Sequence, residues 1–286
     1  MVATIGVQMF NMYDEVLRRG MFDVLRQITD LGFHAVEVTR VNLDEAVVGD
    51  LARGVADLQV DVAALTVTLG SQWGGMNDLG HDYDHVVDTA ARLGTRYLRI
   101  GMMPPQAMST RAGTEEWAAA CQEYAARLRR EGITLCYHNH HVDLAKFADE
   151  RIFDVVRRVA PDLMFEVDLF WVQRGGMAPM DMLAAYSGVC KLIHLKDYRI
   201  TPIPPAAVAA RLAGDERAWN QAWNDVVQFG ELGTGNINWP AVIPAAVDAG
   251  ADYLFIEQDD TYGRDPFDCL RQSRDYLRSI GYSESA

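Results

Sequence analysis

Eight short runs of β-branched, aliphatic and aromatic residues recur along this chain, each followed by a longer amphipathic stretch, and that alternation restricts the fold more than any other feature. The runs are Thr4–Gln8, Ala35–Thr39, Val60–Thr68, Tyr97–Gly101, Thr134–His140, Met164–Phe170, Lys191–Lys196 and Tyr253–Gln258. Helical periodicity is clearest over Tyr13–Leu31, Leu43–Leu58, Asp84–Leu93, Glu115–Arg130, Ile152–Val159, Asp181–Tyr186, Pro240–Ala249 and Pro266–Ile280. Gly32, Gly94, Gly132 and Gly250 stand where left-handed C-caps would end four of these helices. Strands that alternate with helices pair in parallel, because only a long crossover returns the chain to the same end of a sheet. An open doubly wound sheet would carry a glycine-rich phosphate loop after its first strand; Met9-Phe10-Asn11-Met12 is not one. Eight is the count at which a parallel sheet closes. The expectation is an α/β chain forming one (β/α)8 TIM barrel over residues 1–282, with a frayed tail at 283–286.

One segment breaks the rhythm. From Ile200 to Gly235 the chain runs longer than a normal loop, and Val208–Val227 reads as helical with Trp219 and Trp223 on it. This elaborated loop after the seventh strand is either packing on the barrel or a lid over the face where barrel enzymes bind ligands.

Composition narrows the partners. Forty Asp and Glu against 26 Lys and Arg give a net charge of −14, which argues against nucleic acid or an anionic membrane. No run reaches the roughly 18 apolar residues that cross a bilayer. Met1-Val2-Ala3-Thr4-Ile5 lacks the basic and apolar regions of a signal peptide, so a cytoplasmic location is expected. Cys121, Cys136, Cys190 and Cys269 are widely spaced and read as free thiols.

Polar groups gather where apolar ones are expected. The ends of the fifth to eighth strands read Tyr137-His138-Asn139-His140-His141, Glu166-Val167-Asp168, His194-Leu195-Lys196-Asp197 and Glu257-Gln258-Asp259. Barrel strands are covered on both faces, so polar side chains inside them must be satisfied or functional. Taken singly, a strand histidine is more often a hydrogen-bonded core residue, and a strand-end aspartate more often a helix cap; Asp259, Asp260 and Asp143 are read as such caps. Co-occurrence on four neighbouring strands changes the balance. Strand alternation lets His138, Asp168, His194 and Glu257 form a ring with one residue per strand. Imidazole and carboxylate ligands with open positions suit a catalytic divalent ion.

With these strand ends in place, the chain resembles the xylose-isomerase-like TIM barrel superfamily, in particular its sugar phosphate isomerase/epimerase group. The resemblance rests on Gly32-Phe33-His34-Ala35-Val36-Glu37, Tyr137-His138-Asn139-His140, Val167-Asp168-Leu169-Phe170-Trp171, His194-Leu195-Lys196-Asp197, Gly233-Thr234-Gly235-Asn236-Ile237 with Trp239, and Tyr253-Leu254-Phe255-Ile256-Glu257. It covers nearly the whole chain. It implies one divalent metal, Mn²⁺ before Zn²⁺, Co²⁺, Fe²⁺ or Mg²⁺, held by Asp168, His194 and Glu257. The family's usual first ligand, a glutamate, is replaced at His138, so the fourth ligand is His138, Asp143 or a water. The Tyr-His-Asn-His variant is similar to inosose dehydratases and enzymes acting on 3-keto-glycosides, including C-glycoside-cleaving ones.

These chemistries share removal of a proton next to a carbonyl. The expected base is His140, Glu257 or Glu37, with Lys196 donating to a substrate hydroxyl or oxyanion. Glu37 could equally cap a helix or pair with Arg99. Trp171 and Trp73 are expected to wall a sugar face, and Gln8 and Arg99 to read hydroxyls or a carboxylate. Gly233-Thr234-Gly235 is the best candidate for a phosphate nest, yet an unphosphorylated keto-sugar or polyol is favoured. The resulting expectation is a metal-dependent isomerase or epimerase of a keto-sugar or cyclitol; the alternative is a lyase of the same fold. A metal-free binding barrel is the rival from another class, while an abasic-DNA endonuclease conflicts with the charge. Association as a homo-oligomer or with a partner subunit is compatible with the resemblance.

Overall fold

A computed structural model describes residues 3–70 and 77–282 of the chain. Trp73 and the tail 283–286 lie outside the described residues. The eight barrel strands are β1 (Thr4–Gln8), β2 (Ala35–Val38), β3 (Asp61–Val67), β4 (Tyr97–Ile100), β5 (Thr134–His138), β6 (Met164–Asp168), β7 (Cys190–Leu195) and β8 (Tyr253–Ile256). They close in the order β1-β8-β7-β6-β5-β4-β3-β2, and every pairing between them is parallel. The TIM barrel expected from the alternation is therefore present.

The main helices between and after the strands are α1 (Met21–Asp30), α2 (Glu45–Leu58), α3 (Tyr83–Leu93), α4 (Arg111–Arg130), α5 (Ile152–Val159), α6 (Pro179–Ala185), α7 (Trp239–Asp248) and α8 (Pro266–Ser279). Their apolar faces join the outward side chains of the strands in one continuous core, with Leu25, Ile28, Leu65, Leu98 and Phe165 fully buried. The four glycines expected to end helices all have positive φ, between 72° and 100°.

The helix expected over Tyr13–Leu31 is two. Gly20, at φ 85° and ψ 158°, separates Tyr13–Arg19 from α1. That conformation is open to glycine but strained for side-chain-bearing residues. The expected helix Val208–Val227 is likewise broken. Helices Pro205–Leu212 and Glu216–Asn224 flank Gly214, at φ 88°. The strands Asp197–Ile200 and Val227–Gly230 then pair as the antiparallel base of this excursion.

Inside the barrel, alternation stacks the side chains in layers. The lowest layer is mostly apolar and small: Ala35, Ala64, Cys136 and Leu192 pack with Tyr97, Tyr253 and Phe255. Gly6 faces this layer because a Cβ there would come within 2.7 Å of the Ala35 carbonyl oxygen. Two residues further along the strands come Glu37, Arg99, Glu166 and His194, all buried. The next step reaches Asp168, Lys196 and Glu257 at the carboxyl ends of the strands, beside His138. An apolar floor thus carries an ionic layer, and the ionic layer carries the mouth.

Candidate metal centre

The orientation of His138 is set from the neighbouring strand end. Its Nδ1 lies 3.2 Å from the Gly101 carbonyl oxygen, an acceptor only, so Nδ1 carries the proton and donates. Nε2 then holds the lone pair, buried and without a hydrogen-bond partner. Burial and the Arg99 charge hold the His138 pKa down at about 4, keeping the ring neutral.

Asp168 divides its two oxygens. Oδ1 accepts from the Trp171 backbone N–H at 2.9 Å, capping the short helix Leu169–Arg174. Oδ2 is buried without a hydrogen-bond partner. The backbone at Asp168 is clamped by Asn139, whose side-chain oxygen accepts from the Asp168 N–H at 3.0 Å and whose amide donates to the Asp168 carbonyl at 3.3 Å. Burial opposes ionisation of Asp168, but Lys196 and the two histidines hold its pKa well below the ordinary carboxylate range.

His194 is held from beneath. Its Nε2 lies 3.1 Å from Glu166 Oε1 and 3.3 Å from both oxygens of Glu37. Nδ1 faces the mouth, 2.8 Å from Glu257 Oε2 and 3.6 Å from Asp168 Oδ2. Burial disfavours the charged ring, yet Glu166, Glu257 and Glu37 raise its pKa well above the ordinary value. The opposite pull acts on the carboxylates: despite burial, His194 and Arg99 bring Glu166 down to about 2, while burial and the Glu166 charge push Glu37 up to about 7.

One ligand atom each from His138, Asp168, His194 and Glu257 falls within 4.8 Å of all the others. Donor atoms about 2.0–2.2 Å from one ion stand roughly 3–4 Å apart, so the spacing suits a divalent cation. Three of these atoms, His138 Nε2, Asp168 Oδ2 and His194 Nδ1, are buried without a hydrogen-bond partner. Burying such groups is costly unless something satisfies them. The residues present therefore fit a divalent metal, with the nitrogen away from the centre engaged on each histidine as metal sites require.

Beside this cluster opens a cavity of about 580 Å³. Arg99, His138, His140, Lys196, Glu257 and Asp259 line it, with threonines and apolar residues from the first four strand ends. Lys196 Nζ lies 2.7 Å from Asp259 Oδ1, 3.0 Å from Glu257 Oε2 and 3.4 Å from Asp168 Oδ2. It also sits 4.9 Å from the Trp171 ring centroid and 5.3 Å from that of Phe229. Trp171 stacks on His141 and contacts His140, backing this corner without lining the cavity itself.

Several expectations need correction. Glu37 does not line the cavity: it is fully buried one layer below, between Arg99 at 3.3 Å and His194. Asp143 is spent, accepting from the Tyr137 hydroxyl at 2.6 Å and the His140 N–H at 2.7 Å, so it is not available as a ligand. Asp259 pairs with Lys196 instead of capping a helix, and Asp260 accepts from the Tyr262 N–H in a loop; Asp265 caps α8. Gln8 is buried outside the cavity, with its oxygen 2.5 Å from the Phe10 N–H that donates to it. Arg99 lines the cavity while its Nε donates to Glu166 at 2.6 Å.

The nest at Gly233-Thr234-Gly235 is already filled. Asp197 takes hydrogen bonds there from the N–H groups of Gly233, Gly235, Asn236 and Ile237 and from Trp239 Nε1. The excursion after β7 contributes Phe229, which packs on Phe170 and Trp171 beside Lys196. Glu166 and Phe229 are the site residues to which sequence reasoning gave no role, and Asp259 was read only as a cap. For Glu166 the signal was present, since it shares a strand face with Asp168.

A model for xylose isomerase-like TIM barrel proteins matches residues 25–280. No curated protein sequence gives a match. Among solved structures, a sugar phosphate isomerase/epimerase from Parabacteroides distasonis superposes with a TM-score of 0.74 at 18% identity, covering 96% of this chain and 98% of that one. The IOLI protein, solved with a binding zinc atom, gives 0.68 at 13% identity over 97% of both chains. A 3-keto-D-glucoside 4-epimerase from E. coli gives 0.66 at 13% identity, over 97% of this chain and 99% of that one.

Proposed function

Because this chain belongs to the xylose isomerase-like TIM barrel family, we propose that it is a divalent-metal-dependent isomerase or epimerase of an unphosphorylated keto-sugar or cyclitol. The observation that carries the reading is the convergence of four buried donor atoms within 4.8 Å of one another, three of them without a hydrogen-bond partner, at the edge of a cavity. His138, Asp168, His194 and Glu257 would hold the ion; a mixed imidazole and carboxylate set suits Mn²⁺, Zn²⁺, Fe²⁺ or Co²⁺, and Mn²⁺ is the one the family resemblance puts first. When bound, such an ion supplies Lewis acidity toward a substrate carbonyl.

The remaining steps fall to side chains. His140 follows β5 and Asp259 follows β8, so they flank the arc of ligand-bearing strands and both line the cavity. We assign them the removal and return of the proton next to the carbonyl. Burial and the neighbouring His138 keep the His140 ring neutral, and its Nδ1 has no hydrogen-bond partner, so a nitrogen is open to accept a proton. Lys196, buried among Glu257, Asp168 and Asp259, keeps its proton despite burial and can donate to the developing oxyanion. Among the described residues the cations lining the cavity are Arg99 and Lys196, and both are paired with carboxylates, which supports an unphosphorylated substrate.

The test is a panel of keto-sugars and inososes with Mn²⁺, followed by NMR in D₂O. Deuterium entering at the carbon next to the carbonyl without loss of any group is the expected result. Loss of a hydroxyl or an aglycone would instead assign a lyase. No exchange on any member, with no metal taken up, would leave a binding barrel.

Glu166 gives a second prediction. Its carboxylate under His194 Nε2 keeps the ring oriented and electron-rich. Glu166→Gln is expected to weaken Mn²⁺ binding by about 10- to 100-fold, the usual effect of losing such a partner. Calorimetric titration of metal-free protein measures it, and an unchanged affinity would show that Glu37 suffices.

A further inference from the structure

The cavity has two chemically distinct sides. Its charged groups come from β4 to β8: Arg99, His138, His140, Lys196, Glu257 and Asp259. The opposite side is built by Phe10, Leu69 and the run Met102-Met103-Pro104-Pro105. Leu69 and Met103 are buried, whereas Met102 is half-exposed at the mouth. Among the described residues of this side, the polar side chains lining the cavity are three threonines, Thr39, Thr66 and Thr68. Thr68 is already engaged, donating to Asp78 at 2.9 Å. The Thr66 hydroxyl is buried without a partner.

A free cyclitol or ketose bears hydroxyls around most of its ring. Seated against the ligand cluster, it would fill only part of this space, since pockets of about 300–1,000 Å³ take drug-sized ligands. A second polyol ring against Phe10 and the methionines would leave hydroxyls desolvated without partners, at about 1–3 kcal/mol each. An apolar group in that space has the opposite balance. Methionine thioethers make favourable contacts with aromatic ring edges and adapt to their shape.

We propose, building on the reading above, that the substrate is a keto-glycoside or keto-polyol carrying an apolar substituent of aryl size, and that Phe10, Leu69, Met102, Met103 and Pro104 hold this substituent. The polyol ring faces the four ligand residues, and the Thr66 hydroxyl lies at the boundary between the two parts.

The experiment compares phenyl and methyl 3-keto-glucosides and free 3-keto-glucose. Proton exchange in D₂O is followed with the Mn²⁺-loaded full chain. In parallel, calorimetry measures the binding of phenyl and methyl glucosides that lack the ketone and cannot react. The phenyl compounds are expected to show at least a tenfold higher kcat/KM and a tenfold lower Kd than the methyl compounds, about 1.4 kcal/mol. Met102→Asp, at a half-exposed position, is expected to reduce that phenyl-to-methyl ratio at least fivefold. Equal values for phenyl and methyl, or a ratio unmoved in Met102→Asp, would overturn the proposal. If no compound exchanges, the reading of the reaction fails, and the binding ratio alone decides the apolar subsite.

Discussion

His194→Ala is expected to lower the rate of proton exchange by at least about 10³-fold and to remove measurable high-affinity binding of Mn²⁺. The expectation follows from what the ring does on its two sides. Nδ1 points at Asp168 and Glu257, and Nε2 points at Glu37 and Glu166. Removing the ring deletes one of four ligands and leaves four buried carboxylates with less positive charge between them. Lewis-acid stabilisation of a developing oxyanion is worth several kcal/mol, and about 4 kcal/mol corresponds to 10³ in rate. The carboxylates left behind will also cost stability, so the variant must be checked for folding by circular dichroism. Treating the unaltered protein with a chelator provides the control: activity should fall and return with Mn²⁺, whereas in the variant added Mn²⁺ should restore nothing. A folded His194→Ala protein exchanging within tenfold of the original rate would remove the metal from the mechanism.

The barrel was legible in the chain because closure depends on repetition. Each strand run is short, each intervening stretch is amphipathic, and glycines such as Gly94 sit at the helix ends. Breaks within helices were less legible. Gly20 lies inside a continuous apolar period, and its extended conformation at positive φ is fixed by how the flanking helices pack, not by the pattern. At the site, strand alternation placed His138, Asp168, His194 and Glu257 on common ground without any coordinates. The fourth ligand stayed open because the choice between His138 and Asp143 turns on contacts from elsewhere. Gly101 fixes the tautomer of His138, and Tyr137 consumes Asp143.

Glu37 and Asp259 were misplaced for related reasons. A strand end read from sequence gives direction but not depth. Glu37 is the residue before the last in β2 and points inward one layer too low to meet a substrate. Asp259 lies just past β8, where a helix cap is the common role, but Lys196 from β7 reaches it first. Both outcomes depend on the stagger of neighbouring strands. The sequence of one strand does not contain that stagger, and irregular registers at Val36/Glu37 and Phe165/Glu166 change it further.

Asp197→Ala is expected to be the most destabilising single substitution outside the ligand set, lowering stability by about 4 kcal/mol. Asp197 is fully buried, and its two oxygens accept from six donors: the backbone N–H groups of Tyr198, Gly233, Gly235, Asn236 and Ile237, and the indole N–H of Trp239. Single bonds to a charged group contribute about 1.5–3 kcal/mol, and bonds sharing one carboxylate do not add fully. The arrangement also explains Gly235: a Cβ there would lie 2.2 Å from Asp197 Oδ1. With alanine at 197, six donors lose their acceptor in a buried turn that joins the excursion after β7 to α7. At about 2–4 °C per kcal/mol for a chain of this size, the melting temperature should fall by roughly 8–16 °C. Asp197→Asn should fall in between, because an amide keeps one oxygen acceptor and turns an NH₂ toward donors. The same geometry predicts that inorganic phosphate leaves the melting temperature of the unaltered protein unchanged, since the nest is occupied by the chain's own carboxylate. Thermal melts of the three proteins with and without phosphate decide the matter. A phosphate-dependent rise in the unaltered protein, or an Asp197→Ala midpoint within about 2 °C of it, would show that the turn is held by something other than Asp197.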